Sequence, residues 1–329
     1  MSGRGSFATR AEVAEAMNVF GARGNAVDAV IAGLFAYAAL EPSVLLGPMQ
    51  LLVGGPGAGL RTVDGRVRQP GLGAPRPRGF VASEKIPAAA WVGAPCFSSA
   101  SLAALAAYGT RTANQCVSPS IELAKAWSSE RAQLLASIAR HGPGAWARPE
   151  HATPLVDRFG RMQHGLLTQE DLVAVAPPVQ EAPVHRAEGN GASRPEFAVL
   201  GNADAYASSK ARLGLLLAVD PRGLFCAAGL ELHDEGVEVE ELGVRAPLLA
   251  EPVRRGEPRV TPGTPRPAAA PIALLGRQGR WEMALGSSGA FDRALAAAVA
   301  LLQTPAPSSA PTEPAGAHVL FASGSTRTL

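Results

Sequence analysis

The apolar positions of this chain fall on two periods, and one stretch breaks from both by having almost no polar face. From Ala26 to Leu40 the residues are Ala, Val, Ile, Leu, Phe and Tyr, with one acid, Asp28, and one glycine, Gly33. A helix of that pattern is buried on most of its sides. At about 15 residues it is too short for a membrane span, which takes roughly 20. Asn25 is a good N-cap for it and Asp28 stands three residues on, the spacing of a capping box with the acid at the positive helix end. Gly21 and Gly24 mark the break before it.

Val13, Met17 and Phe20, at i, i+4 and i+7, predict an amphipathic helix over 10–20 that packs beside the first. After Pro42 the pattern turns to short strands, Met49 to Val53 and Gly59 to Val63, joined through Gly54-Gly55-Pro56-Gly57, with Asp64-Gly65 as the next turn. Trp91 to Pro95 reads as a strand running into a helix from Ser98 to Tyr108, closed by Gly109. A further helix runs from Pro119 toward His141-Gly142. Gly165 to Leu167 reads as a strand-like edge, then Thr168 caps a helix with Asp171 three residues on. Ile272 to Leu275 and Trp281 to Leu285 are strands, Ala290 to Gln303 a helix, and Ala317 to Ala322 one more strand. Glu188 to Arg194 reads as an exposed loop and Thr304 to Gly316, rich in Pro, Ala and Ser, as a linker.

Composition narrows the classes. Charged residues make up 18% of the 329, below the usual ~25%. Lys+Arg 30 against Asp+Glu 28 leaves +2, too balanced for a nucleic-acid or anionic-membrane partner. Cys96, Cys116 and Cys226 are odd in number and widely spaced, which indicates buried free thiols and neither a disulfide framework nor a zinc site. Met1 to Thr9 has no apolar core and no later stretch reaches 18 apolar residues, so the expectation is a cytoplasmic protein without signal peptide or membrane segment. His233-Asp234-Glu235 with Glu238, Glu240 and Glu241 looks like a metal cluster, but Val237 and Val239 alternate with the acids as on a half-buried strand, which reads as a solvated acidic face. His141, His151, His164, His185 and His318 show no paired ligand spacing, and no metal or cofactor is expected.

The letters of the apolar helix carry more than its period. Arg23-Gly24-Asn25-Ala26-Val27-Asp28-Ala29-Val30-Ile31-Ala32, followed by Glu41-Pro42, resembles the R-G-G-N-A-V-D-A-A-V-A … E-P signature of γ-glutamyltransferases. Pro119-Ser120-Ile121-Glu122-Leu123-Ala124, Gly165-Leu166-Leu167-Thr168-Gln169-Glu170-Asp171-Leu172, Ala218-Val219-Asp220-Pro221-Arg222-Gly223 and Gly286-Ser287-Ser288-Gly289 resemble further family motifs in family order. Those proteins are N-terminal-nucleophile (Ntn) hydrolases. The resemblance implies an α+β fold, a four-layer αββα sandwich, as a single domain over 1–303. Residues 9–200 resemble the large-subunit half and 201–303 the small-subunit half, with a linker over 304–316 and a C-terminal strand and tail over 317–329.

The same resemblance marks what has changed. Family members cut their own chain to expose a threonine whose α-amine serves as base. Seven residues before Asp220 that position is Leu213, which has no attacking atom. Where the family has a serine pair that binds the substrate carboxylate stand Ala268, Ala269 and Ala270, with no hydroxyl to donate. A run of four glycines is replaced by Gly47-Pro48-Met49-Gln50, and Arg68 is the nearest match to the family's carboxylate-binding arginine. Gly286 to Gly289 would present backbone N–H groups at a helix start, as an anion site or as a turn and N-cap. The expectation is a γ-glutamyltransferase-like pseudoenzyme without autoprocessing, a binding or structural subunit that pairs with another protein or with itself. The alternatives are a divergent amide hydrolase using Ser208, Ser209 or Cys226, and a sensor that holds a small anionic ligand at Arg68 or at the Gly286–Gly289 turn.

Overall fold

The computed structural model describes residues 5–21, 23–173, 179–187, 194–201, 210–267, 270–303 and 316–329. Two antiparallel sheets form its middle. The first has the order β1 (Gly5–Ala8), β7 (Arg212–Val219), β8 (Phe225–Leu232), β2 (Met49–Gly55), β3 (Gly59–Gly65), β4 (Val179–Glu181). The second runs β14 (Thr326–Thr328), β13 (Ala317–Phe321), β12 (Arg280–Ser287), β11 (Ile272–Arg277), β6 (Pro195–Leu200), β5 (His185–Arg186). A small hairpin, β9 (Val237–Val239) with β10 (Val244–Ala246), stands apart.

Strand alternation assigns each side chain a layer. On β7, Leu215, Leu217 and Val219 meet Ile272, Leu274, Trp281 and Ala284 of the second sheet, while Leu216 and Ala218 face the other way. That other face is covered by α1 (Ala11–Gly21), α2 (Ala26–Leu40), α3 (Phe97–Tyr108), α4 (Ala113–Lys125), α5 (Ser129–His141) and α6 (Pro149–Phe159), in one core with Val27, Phe35, Phe97 and Leu134. After the short α7 (Gln169–Val173), the last helix, α8 (Phe291–Gln303), lays Phe291, Ala294, Ala298 and Leu302 on the far side of the second sheet. The layers are helix, sheet, sheet, helix, as the resemblance implied.

Every residue of α2 is buried. Its capping box forms, with Asp28 N–H donating to Asn25 Oδ1 at 3.0 Å and Asn25 N–H to Asp28 Oδ2 at 2.8 Å. The same carboxylate accepts the N–H of Thr110 at 2.9 Å, the Thr110 hydroxyl at 2.6 Å and the N–H of Arg111 at 3.0 Å, which ties the α3–α4 turn to the start of α2. No helix among the described residues is long and apolar enough to cross a membrane.

Several expectations are corrected. Residues 317–329 are no tail: β13 pairs with β12 and Leu329 is buried, so they complete the second sheet. The two halves interleave, since β5 and β6 from the first lie in the sheet of β11 and β12 and β7 and β8 from the second lie in the sheet of β2 and β3. The helix expected from Pro119 to His141 is two, because Ser128 caps a new start by accepting the N–H of Arg131. Asp64 and Gly65 belong to β3 rather than to a turn. Trp91 ends a 3-10 turn and Val92 makes only an isolated bridge to Leu248. Gly165 to Leu167 form no strand; Asp171 instead accepts from Thr168, Gly71 and Leu72 and holds two loops together. Residues 188–193 of the expected loop and 304–315 of the expected linker lie outside the described residues.

Candidate functional site

The turns of the β2–β3 and β7–β8 hairpins lie at one end of the sandwich. At the other end β7 starts, β8 stops and β2 starts, and the register there lines up Leu213 with Glu231, then Leu215, Gly229, Gln50 and Asp64 in one row across four strands. All share the parity of Leu217, Ala227, Leu52 and Leu60, so they face the second sheet. Gly229 admits that sheet: a Cβ there would sit 3.1 Å from Ala270 Cβ and 3.0 Å from its carbonyl oxygen. Gly286 does the same beside Leu215, whose Cδ1 would be 2.2 Å from an added Cβ. The structure therefore brings Leu213, Ala270 and Gly286 to one mouth. Ser208, Ser209, Ala268 and Ala269 lie outside the described residues.

Leu213 is partly buried and packs against the inter-sheet core, so the position that the resemblance gives to the nucleophile is filled by an apolar contact. Beside it Glu231 is 4% exposed, with His233 Nε2 3.1 Å from its Oε2. The His233 N–H donates to Ser43 Oγ at 3.1 Å, which fixes the backbone beside that imidazole. Gln50 is also 4% exposed, and its buried Oε1 has no hydrogen-bond partner. Sequence reading missed both Gln50 and Glu231. The signal was present as parity, a polar residue in line with the inward apolar positions of each strand.

At the end of the row Arg66 clamps Asp64, with Nε to Oδ1 and Nη2 to Oδ2 each at 2.9 Å, and Arg68 Nη2 lies 3.6 Å from Oδ2. Burial works against the Asp64 charge, but the Arg66 bonds and the two guanidinium charges hold its carboxyl below the ordinary carboxylate value. Arg68 itself reaches the carbonyl of Gly263 at 3.4 Å, and its backbone bridges Ala94 and Pro265. It is thus held beside the segment that leads to Ala268–Ala270, three strands from Leu213, with its guanidinium engaged by its own chain.

Two candidates are corrected. In the Gly286–Gly289 turn the Gly289 N–H donates to Ser287 Oγ at 3.1 Å and the Ser288 N–H to the Gly316 carbonyl at 3.1 Å. Ser287 has the parity of Leu285, toward α8, so the turn caps that helix and its N–H groups are engaged within the chain rather than facing an anion. Cys226 is fully buried on the helix side of β8, where burial first and the Asp28 charge second push its thiol far up. A thiol that cannot ionise and does not reach the mouth is no nucleophile.

The acidic stretch is paired rather than assembled. Asp234 meets Arg212 at 2.8 Å, Glu238 meets Arg245 at 2.6 Å and Glu241 meets Arg158 at 3.2 Å. Among the described residues no group of three or more His, Cys, Asp or Glu is placed to hold a metal ion. A separate cavity of about 530 Å³ is lined by Phe80, Leu166, Leu167, Val253, Arg78 and His164, among others, and by no residue of β2, β7 or β8.

No protein-family model and no curated protein matches the chain. Among solved structures it is similar to cephalosporin acylase from Bacillus halodurans, at 16% identity and a TM-score of 0.65, over 88% of this chain and 78% of that one. It is also similar to LmbA2991HD, at 16% identity and a TM-score of 0.69, over 94% of this chain and 84% of that one. A gamma-glutamyltranspeptidase from Pseudomonas nitroreducens superposes at 20% identity and a TM-score of 0.48, over 58% of this chain and 70% of that one, too loosely to argue from. At these identities the likeness is one of fold: the four-layer sandwich is that of the Ntn hydrolases.

Proposed function

We propose that this protein is a non-catalytic binding subunit on an Ntn-hydrolase scaffold, one that has lost γ-glutamyl transfer and self-cleavage. The observation that supports this most is Leu213. It stands on the inward face at the head of β7, packed on the inter-sheet core, and its neighbours Arg212 and Gly214 offer no hydroxyl or thiol either. Self-cleavage and amide hydrolysis both begin with attack by such an atom. Ala270 across the mouth adds no donor for a substrate carboxylate. On this reading the protein works by association, with another protein or with a second copy of itself, in the cytoplasm, where its three buried free thiols suit a reducing compartment. Light scattering at micromolar concentration tests the association: a complex or dimer is expected, and a lone monomer with no co-purifying partner counts against it.

One observation favours a second reading, a divergent amide hydrolase. Glu231 beside His233 is a carboxylate that orients an imidazole, the pair a serine displaced to Ser208 or Ser209 would need. Release of a chromogenic amine from a γ-glutamyl anilide, and of the acyl group from a cephalosporin amide, separates the two. The binding-subunit reading expects no turnover above a heat-treated sample. Turnover that disappears in both Ser208→Ala/Ser209→Ala and His233→Ala replaces it with the hydrolase.

A further inference from the structure

On the outer face of the helical layer a cleft of about 280 Å³ opens where α5 ends and α6 begins, remote in the fold from the mouth between the sheets. Its lining includes Ser137 and Arg140 of α5, His141 and Arg148 of the connection, and Glu150 and His151 of α6. His151 is 7% exposed, and neither Nδ1 nor Nε2 has a hydrogen-bond partner; the buried Ser137 Oγ lacks one as well. A buried polar group left unpaired is costly, and native interiors pair nearly all of them. Three such atoms from two helices lining one cleft are a donor and acceptor set waiting for something from outside the chain.

The charges around them say what. Arg148 is engaged by Glu150 at 2.5 Å, while Arg140 makes no ion pair among the described residues. The cleft thus carries a free guanidinium and no free carboxylate before either histidine takes a proton. An imidazole N–H, a serine hydroxyl and a guanidinium are the donors that recognise a phosphate oxygen. We propose that the α5–α6 cleft binds a small oxyanion, a phosphate group, held by His151, Ser137 and Arg140. Burial keeps His151 below the ordinary imidazole value, helped by the charges of Arg148 and His141 and opposed by Glu150. A bound oxyanion reverses that balance by favouring the imidazolium, so binding takes up a proton and tightens as pH falls. The inference is independent of whether the protein is a binding subunit or a hydrolase.

The test is calorimetric titration of the full chain with inorganic phosphate, with glycerol phosphate as a monoester, and with sulfate, whose charge does not change in this range. Arg140→Ala, at an exposed position, and Ser137→Ala are each expected to weaken phosphate by about tenfold, and His151→Phe by more. Sulfate affinity is expected to rise between about pH 7.5 and pH 6, a rise that His151→Phe abolishes. Tighter glycerol phosphate than phosphate identifies an organic monoester as the ligand, and the reverse identifies the free ion. Should His151→Phe fail to fold, Arg140→Ala and Ser137→Ala decide alone. Absence of binding at about 10 mM, or affinity unchanged in both of those variants, overturns the proposal.

Discussion

Asp28 shows how much one side chain can hold. It accepts the N–H groups of Asn25, Thr110 and Arg111 and the Thr110 hydroxyl while fully buried. Asp28→Ala leaves those donors without an acceptor, so we expect a loss of about 3–5 kcal/mol, read as a lower urea midpoint. Half of this role was legible: the capping box follows from Asn25 and Asp28 three residues apart, whereas Thr110 lies 82 residues away and no local pattern announces it. Leu213 carries the opposite lesson. Leu213→Thr returns an attacking oxygen but puts a hydroxyl against an apolar core, at about 1–3 kcal/mol, and positioning worth ~7–11 kcal/mol of barrier is not restored with it. We expect a lower urea midpoint and no anilide hydrolysis; a mutant that turns over would show that the mouth still holds a glutamyl group.

At the scale of elements, α2 and β7 decide how closely the layers approach. Helix propensity alone says that Gly33→Ala should stabilise α2 by about 1 kcal/mol. The packing says otherwise, because a Cβ there would stand 2.4 Å from Leu216 Cδ2 on β7 and 2.6 Å from Met17 Cγ on α1. Overpacking of this kind costs about 1–3 kcal/mol, so the expected sign is destabilising, and a raised melting temperature for Gly33→Ala would contradict the interdigitation described. The apolar run predicted α2 and its burial correctly, since an all-apolar helix has only one stable environment. The same run could not tell which strand and which helix press on Gly33.

For the whole molecule, one polypeptide near 33.8 kDa is expected on a denaturing gel after prolonged storage, because no hydroxyl or thiol stands at Leu213 to cut the chain. Two stable fragments meeting between residues 200 and 215 on a mass spectrum would refute it. Acid sensitivity is the second global expectation. Burial holds His318, stacked on Phe7 at 4.4 Å, and His151 below their ordinary value of 6.5. The unfolded chain then binds protons that the fold refuses, so this stability is complete above about pH 6.5 and is lost as pH falls through the folded values. The urea midpoint should drop between about pH 7.5 and pH 5.5, and His318→Phe should flatten the drop; parallel curves for mutant and wild type would assign it to other groups.

By itself the sequence determined the elements whose patterns are local: the buried helix with its cap, the first hairpin, the last helix, and, through ordered motifs, an αββα sandwich. Those features depend on residues a few positions apart, and period and capping chemistry act at that range. Only the tertiary structure decided that 317–329 complete a sheet, that the two halves interleave, that Ser287 faces α8 and that Cys226 is sealed beneath the helices. It alone set Gln50 and Glu231 into the mouth beside Leu213, and left His151 and Ser137 unpaired in one cleft. Each of these rests on which distant strand or helix lies opposite, and that is fixed by the burial of the whole core rather than by any neighbour in the chain.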